Sequence, residues 1–228
     1  MIEAQINELL ERPDTVEIIR DQIAAILSLE LQNQSALAEK HGKNKSDFDI
    51  KVYNENARPY DNTSGERLYS INVVLQEIKV PLSNSRIHDQ KEIATFHIYC
   101  IADGNNTGDF RDDRSATFRA WKLMRFVRRI LMSEQYTYLD MRKLVTSRTF
   151  TKMEAGSPGL VAANAITVIK ASFEVQFIEF LTIQEASTFV GYDFTINPDD
   201  GEVTAKPTKQ SLIDRITGTD KANNEEGQ

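Results

Sequence analysis

Cysteine is nearly absent from this chain of 228 residues. Cys100 stands alone, and a single thiol cannot close an internal disulfide. Disulfide-dense secreted scaffolds are excluded, and the chain reads as made in a reducing cytoplasm. Long apolar runs are missing too: no stretch approaches the ~20 residues that a membrane-spanning helix requires. The opening MIEAQINELLER lacks the basic, apolar and small-residue succession of a secretory signal. Histidine is scarce, and His41, His88 and His97 do not stand at metal-ligand spacing with one another or with carboxylates. Positive charge is in deficit. Lys+Arg of 27 against Asp+Glu of 34 leave a net charge of −7, which as a whole suits neither DNA nor an acidic membrane. Nor is there a phosphate-cradling glycine loop or a nucleophile elbow. Cys100 lies on an apolar strand and reads as a small core residue. These gaps predict a protein that is not an enzyme and holds no cofactor or metal.

What is present is ordinary globular composition, 40% hydrophobic and 27% charged, with length enough for one generous domain and its core. The N-terminus reads helical with a break at Pro13. Beyond it, Asp14 and Glu17 have the spacing of a capping box. Val16, Ile19, Ile23, Ile26 and Leu27 then repeat at helical spacing, and Gly42 is the stop signal. DFDIKVY alternates Phe48, Ile50 and Val52, and LYSINVVLQEIKV alternates Tyr69, Ile71, Val73 and Leu75. EIATFHIYCIA is apolar on both sides, the pattern of a central strand covered on both faces. A helix over residues 113–134, a short strand SRTFTKM and the long strand AITVIKASFEVQFIEF complete the series.

The order α-β-β-β-α-β-β predicts an α+β fold: a mostly antiparallel sheet of about four to five strands, packed by an N-terminal and a central amphipathic helix. The link NENARPYDNTSGER between the first two strands reads as a long, hairpin-like loop. It carries Arg58 and Tyr60, residue types that anchor interfaces. The domain is placed at 1–180 and a C-terminal extension at 181–228. The extension comprises a small hairpin in YDFTINPDDGEVTA, a short helix in SLIDRITG and a polar tail. With few apolar residues of its own, it reads as an arm gripping a neighbour. The loop DGNNTGD imitates the start of a calcium loop, with Asp103, Asn105, Thr107 and Asp109 at alternate positions. Its twelfth position is Arg114 instead of a bidentate glutamate, so an ordinary glycine-rich loop explains it as well.

One stretch departs from the acidic average. DRSATFRAWKLMRFVRRILMSE packs six basic residues and no acid between Arg114 and Ser133. At 100° per residue, Ala116, Ala120, Leu123, Met124, Val127, Ile130 and Leu131 form one broad apolar arc. Arg114, Lys122, Arg125, Arg128 and Arg129 lie opposite, and Phe118 and Trp121 fall among them. Nucleic acid would use the arginines, but the rest of the chain repels it. A membrane would need the apolar arc, which the sheet requires. A merely solvated face would not need two large aromatics, whereas protein interfaces are enriched in aromatics and arginine. The face is therefore assigned to a protein partner, which acids such as Asp112 or Asp199 on another copy would suit. The candidate interface residues are Arg58, Tyr60, Phe118, Trp121, Lys122, Arg125, Arg128 and Arg129.

Over roughly residues 15–180 the layout resembles the tail terminator (tail completion) proteins of tailed bacteriophages, the family of the minor tail protein U of phage lambda. The likeness rests on the N-terminal helix, IKVYNENARPYD, LYSINVVLQEI, ATFHIYCIADG, DRSATFRAWKLMRFVRRILMS, YTYLDMR and ASFEVQFIEF. It implies a non-enzymatic virion protein at the tail–neck junction, a ring of usually six copies that caps the tail tube. The partners it implies are further copies of the chain, the tail tube protein, neck or connector proteins and, where one exists, the tail sheath. DNA would pass through the lumen without specific binding. The alternative of the same class is another head–tail neck component, a head-completion or stopper protein. The contrasting class is a small cytoplasmic enzyme or nucleic-acid-binding factor.

Overall fold

The computed structural model describes residues 13–56, 68–81, 90–104, 112–156, 159–161, 164–179, 192–196 and 202–207. Helix α1 (Thr15–Lys40) starts where the capping pattern places it: the Asp14 N–H donates to Glu17 Oε2 at 2.9 Å. It stops at His41, and Gly42 follows with a φ of 65°, the left-handed turn that a glycine makes without Cβ strain. Strands β1 (Lys51–Asn54), β2 (Tyr69–Lys79) and β3 (Gln90–Asp103) follow, then helix α2 (Asp112–Leu131). Strands β4 (Val145–Ala155), β5 (Gly159–Val161) and β6 (Asn164–Glu179) end the sheet, and β7 (Tyr192–Ile196) pairs with β8 (Val203–Pro207) as a separate hairpin. The sheet runs β1-β2-β3-β6-β4, with short β5 paired to the start of β6. Both helices join one core cluster with the inner face of that sheet. This is the α+β fold that the periodicity predicts.

Four local expectations change. DFDIKVY is a strand only from Lys51, because Lys45–Phe48 winds into a 3₁₀ turn. That turn carries the Phe48 ring onto Phe126 of α2, with centroids 5.4 Å apart. Second, β1 pairs with β2 in parallel, so the link carrying Arg58 and Tyr60 is a crossover, not a hairpin-like loop. Arg58 and Tyr60 themselves lie outside the described residues. Third, β3 is central, but both helices cover one face only. On the other face, among the described residues, His97 and Tyr99 meet edge to face and Glu154 pairs with Lys152 at 2.7 Å and Lys170 at 2.9 Å. Hydrogen bonds from those two lysines hold the Glu154 carboxyl at about 2, while burial and then Lys170 push the His97 imidazole below its ordinary value.

The fourth change concerns the C-terminal stretch. The hairpin forms as the sequence predicts, but β8 is not a free arm. Val203 is 2% exposed inside the core cluster, and Ser28 of α1 donates its hydroxyl to the Val203 carbonyl at 2.9 Å. Helix α1 is consequently buried well beyond the stripe read from its spacing, with Ile18, Ala24, Ala25 and Leu31 also inside. The expected short helix in SLIDRITG and the polar tail lie outside the described residues, as do residues 1–12, 105–111 and 197–201.

An inward-facing charge fixes the end of α2. In β4, Arg148 sits opposite Val175 and Phe150 opposite Phe173, so both side chains lie on the core face. The Arg148 guanidinium donates to the carbonyls of Leu131, Ser133 and Thr137. These include carbonyls that the last helical turn leaves without intrahelical donors, at the negative end of the helix dipole. Burial lowers the Arg148 pKa without removing its charge. Arg148→Ala should cost about 2 kcal/mol in urea unfolding, since water can reach part of the freed carbonyls. Arg148→Lys should recover only a minor part, because an ammonium cannot span three acceptors in a plane.

Candidate protein interface on helix α2

The apolar arc of α2 lies where the wheel puts it. Ala116, Ala120, Leu123, Met124, Val127 and Leu131 are at most 1% exposed. Thr117 meets Thr167 of β6 at 3.2 Å near the other end of the helix from Arg148. The opposite face is open. Phe118 is 63% exposed, Trp121 40% and Met132 47%, and Arg125, Arg128 and Arg129 are exposed beside them. These side chains border a groove of about 670 Å³. The Arg114 guanidinium stands 5.4 Å from the Phe118 ring centre, a cation–π pair on the rim.

The six basic residues of this helix divide into two sets. Arg119 turns inward: its Nη1 reaches Asp103 Oδ1 at 2.7 Å and the Asp103 carbonyl at 2.8 Å, and its guanidinium covers the Tyr69 ring. Lys122 folds over Phe48 and Phe126, with its Nζ 5.5 Å from the first ring centre and 6.0 Å from the second. Lys122, an expected interface residue, is thus tied to the chain's own aromatics. Arg125, Arg128 and Arg129 remain outward with Phe118 and Trp121. The structure brings these five expected residues together along one groove.

Asp103 also answers the calcium question for its own position. Its side chain is 5% exposed, and Oδ2 accepts the Leu68 N–H while Oδ1 takes Arg119. A carboxylate so occupied serves the fold. Among the described residues no group of three His, Cys, Asp or Glu side chains is placed to hold a metal ion, and no helix is long and apolar enough to cross a membrane. Sequence reading missed the roles of Arg119 and Arg148. The signal for Arg148 was present, since strand alternation puts it in phase with Phe150.

The groove aromatics contribute little to the isolated fold. Phe118→Ser should change the unfolding free energy of the monomer in urea by no more than is typical of surface substitutions, about 0.5 kcal/mol. A loss comparable to a core phenylalanine, ~3 kcal/mol or more, would place this ring inside the domain's packing instead. Compared with known proteins, the sequence matches no family model and no curated protein.

Proposed function

We propose that this protein is a structural component of a phage particle that closes the end of the tail tube as a ring and joins it to the neck. The outward face of α2 packs on the next copy in that ring. The observation that carries the reading is the exposure of Phe118 and Trp121 among Arg125, Arg128 and Arg129, on a helix whose other face is fully used. Burying a Trp-sized side chain is worth roughly 1.5–3 kcal/mol, and partly exposed rings are costly to leave in water without a partner. Screened ion pairs alone would contribute at most about 1 kcal/mol each, so the aromatics would anchor the contact and the arginines would orient it.

The overall negative charge, −7, fits a ring around passing DNA, because a basic lumen would hold phosphates. The resemblance in element order supplies the particular place, at the tail end below the neck. Electron micrographs of the purified protein, alone and mixed with tail tubes, test it. Rings or caps at tube ends are expected. Compact monomers that leave tube ends open and turn over a substrate would overturn the reading.

A further inference from the structure

A second groove lies on another flank of the molecule. It opens between the C-terminal half of α1, the 3₁₀ turn at Lys45–Phe48, β1 and the start of β8, with a volume of about 660 Å³. That volume is within the range of ligand-sized clefts. Ala36, Phe48, Ile50 and Val203 give it an apolar floor, and the carboxylates Glu39, Asp49 and Glu202 line it. An apolar floor inside a charged rim is the make-up of a protein contact. Lys45 and Lys51 are the cations there, the first 3.4 Å from Glu39 and the second 3.7 Å from Glu202. The lining charge among the described residues is therefore 2 − 3 = −1, opposite in sign to the three outward arginines of α2.

The two faces stand on different flanks. Two residues apart on α1, the Ser28 hydroxyl reaches Val203 beside this groove, while Glu30 accepts the Tyr136 hydroxyl just past α2. Two helical residues are about 200° apart, so α1 stands between the groove and the end of α2. On α2, Trp121 and Arg128 lie roughly 120–140° round the helix from the Lys122–Phe126 side that meets Phe48. In the sheet, β1 is one edge and β4 the other, and α2 packs on β3 and β6, away from the β1 edge.

A face with three arginines is a poor match for itself. Two copies joined α2 to α2 would bring 2 × 3 = 6 guanidinium groups together, and a two-fold contact of that kind ends at a dimer. A ring of more than two copies needs two different surfaces on each copy. We infer that the Phe118–Trp121 face of one copy seats in the α1–β1–β8 groove of the next, where Arg125, Arg128 and Arg129 meet Glu39, Asp49 and Glu202. The inference rests on the proposal that α2 is the assembly contact, and it names the surface that receives it. The lysine–carboxylate pairs already in the groove are long and lie at the surface, so they are weak. Arginine can engage the same carboxylates through two parallel hydrogen bonds.

Trp121 is the chain's only tryptophan, so its emission reports on this seat alone. The test mixes two full-length variants. Trp121→Ala lacks the anchor and the signal. Ala36→Arg with Asp49→Arg blocks the groove, and both of those positions are exposed. Neither variant should assemble alone. Mixed, they should form a one-to-one pair and stop, because a single intact face meets a single intact groove. On mixing, emission from the groove-blocked copy should shift to the blue and acrylamide quenching should fall. A second measurement separates charge from bulk. Arg125→Glu and Asp49→Arg should each raise the concentration needed for assembly about tenfold, and together in one chain should recover at least half of that loss.

Groove-blocked copies that form rings on their own, or a mixture that shows no pairing while wild type assembles, would overturn the groove and keep the α2 face. Wild-type chains that stay monomeric, alone and on tail tubes, would sink the α2 face and the groove together.

Discussion

A chain ending at Leu181 unfolds about 3 kcal/mol more easily than the full-length monomer. The truncation removes β8, whose Val203 is 2% exposed against α1 and whose carbonyl accepts the buried Ser28 hydroxyl. Burying a valine is worth roughly 1.5–3 kcal/mol, and a buried hydroxyl left without its acceptor costs about 1–3 more. Loss of the Lys51–Glu202 pair adds little, since it is long at 3.7 Å and joins an exposed lysine to a half-buried glutamate at the surface. Urea unfolding of both proteins below the assembly concentration measures the difference, and Val203→Ala in the full chain should reproduce about 1–2 kcal/mol of it. Superimposable unfolding curves would return the hairpin to the role of a free arm.

Arg119→Ala should destabilise the domain by about 3 kcal/mol, the cost of stranding one partner of a buried pair. Asp103 would keep only the Leu68 N–H for a carboxylate whose side chain is 5% exposed. The loss falls where β3, β6 and α2 meet, so the variant should also loosen the helix near Thr117 and Thr167, visible as faster amide exchange there. Restoring charge balance by pairing Arg119→Ala with Asp103→Ala should recover more than half of the loss, because the stranded carboxylate is then gone. If the double variant is as unstable as the sum of the two singles, the pair is not coupled and the buried-charge account of this corner fails.

These results follow from contacts that the sequence foretold unevenly. Element type and order were legible because each element is strongly periodic: α2 separates its buried and exposed sides at the residues the wheel assigns. The β2, β3 and β6 inner faces are equally plain, with Ile71, Phe96, Cys100 and Phe173 all fully buried. Periodicity says nothing about direction, so the parallel pairing of β1 with β2 stayed hidden behind a loop rich in turn residues. Nor does it say which second surface covers a helix. The wide burial of α1 between Val16 and Leu31 draws on β8, more than 160 residues away, as the Ser28–Val203 bond makes plain.

The candidate face divides in the same way. A wheel places Phe118, Trp121, Arg125, Arg128 and Arg129 outward, and they are outward. It cannot foresee that Lys122 will bend over Phe48, because that ring arrives from a 3₁₀ turn read as strand. It cannot foresee Arg119 either, since the partner Asp103 sits at the end of β3 and looks in sequence like the opening of a metal loop. Polar residues that serve the core are invisible to patterns built on apolar spacing, and both Arg119 and Arg148 belong to that class.

The contact between copies through α2 is measured most directly by sedimentation of wild-type protein, Trp121→Ala and Arg125→Glu across a salt series. An aromatic-centred contact should persist at moderate salt, because burial of apolar surface is not screened as surface charge is. Wild-type protein at assembly concentration, or on added tail tubes, should form rings that survive a rise in salt of severalfold and retain no DNA. Trp121→Ala should sediment as folded monomer at every salt, and Arg125→Glu should assemble more weakly, with the greater deficit at low salt. Rings of normal size from Trp121→Ala, or wild-type DNA retention that disappears with Arg125→Glu and with salt, would show that this face serves another partner.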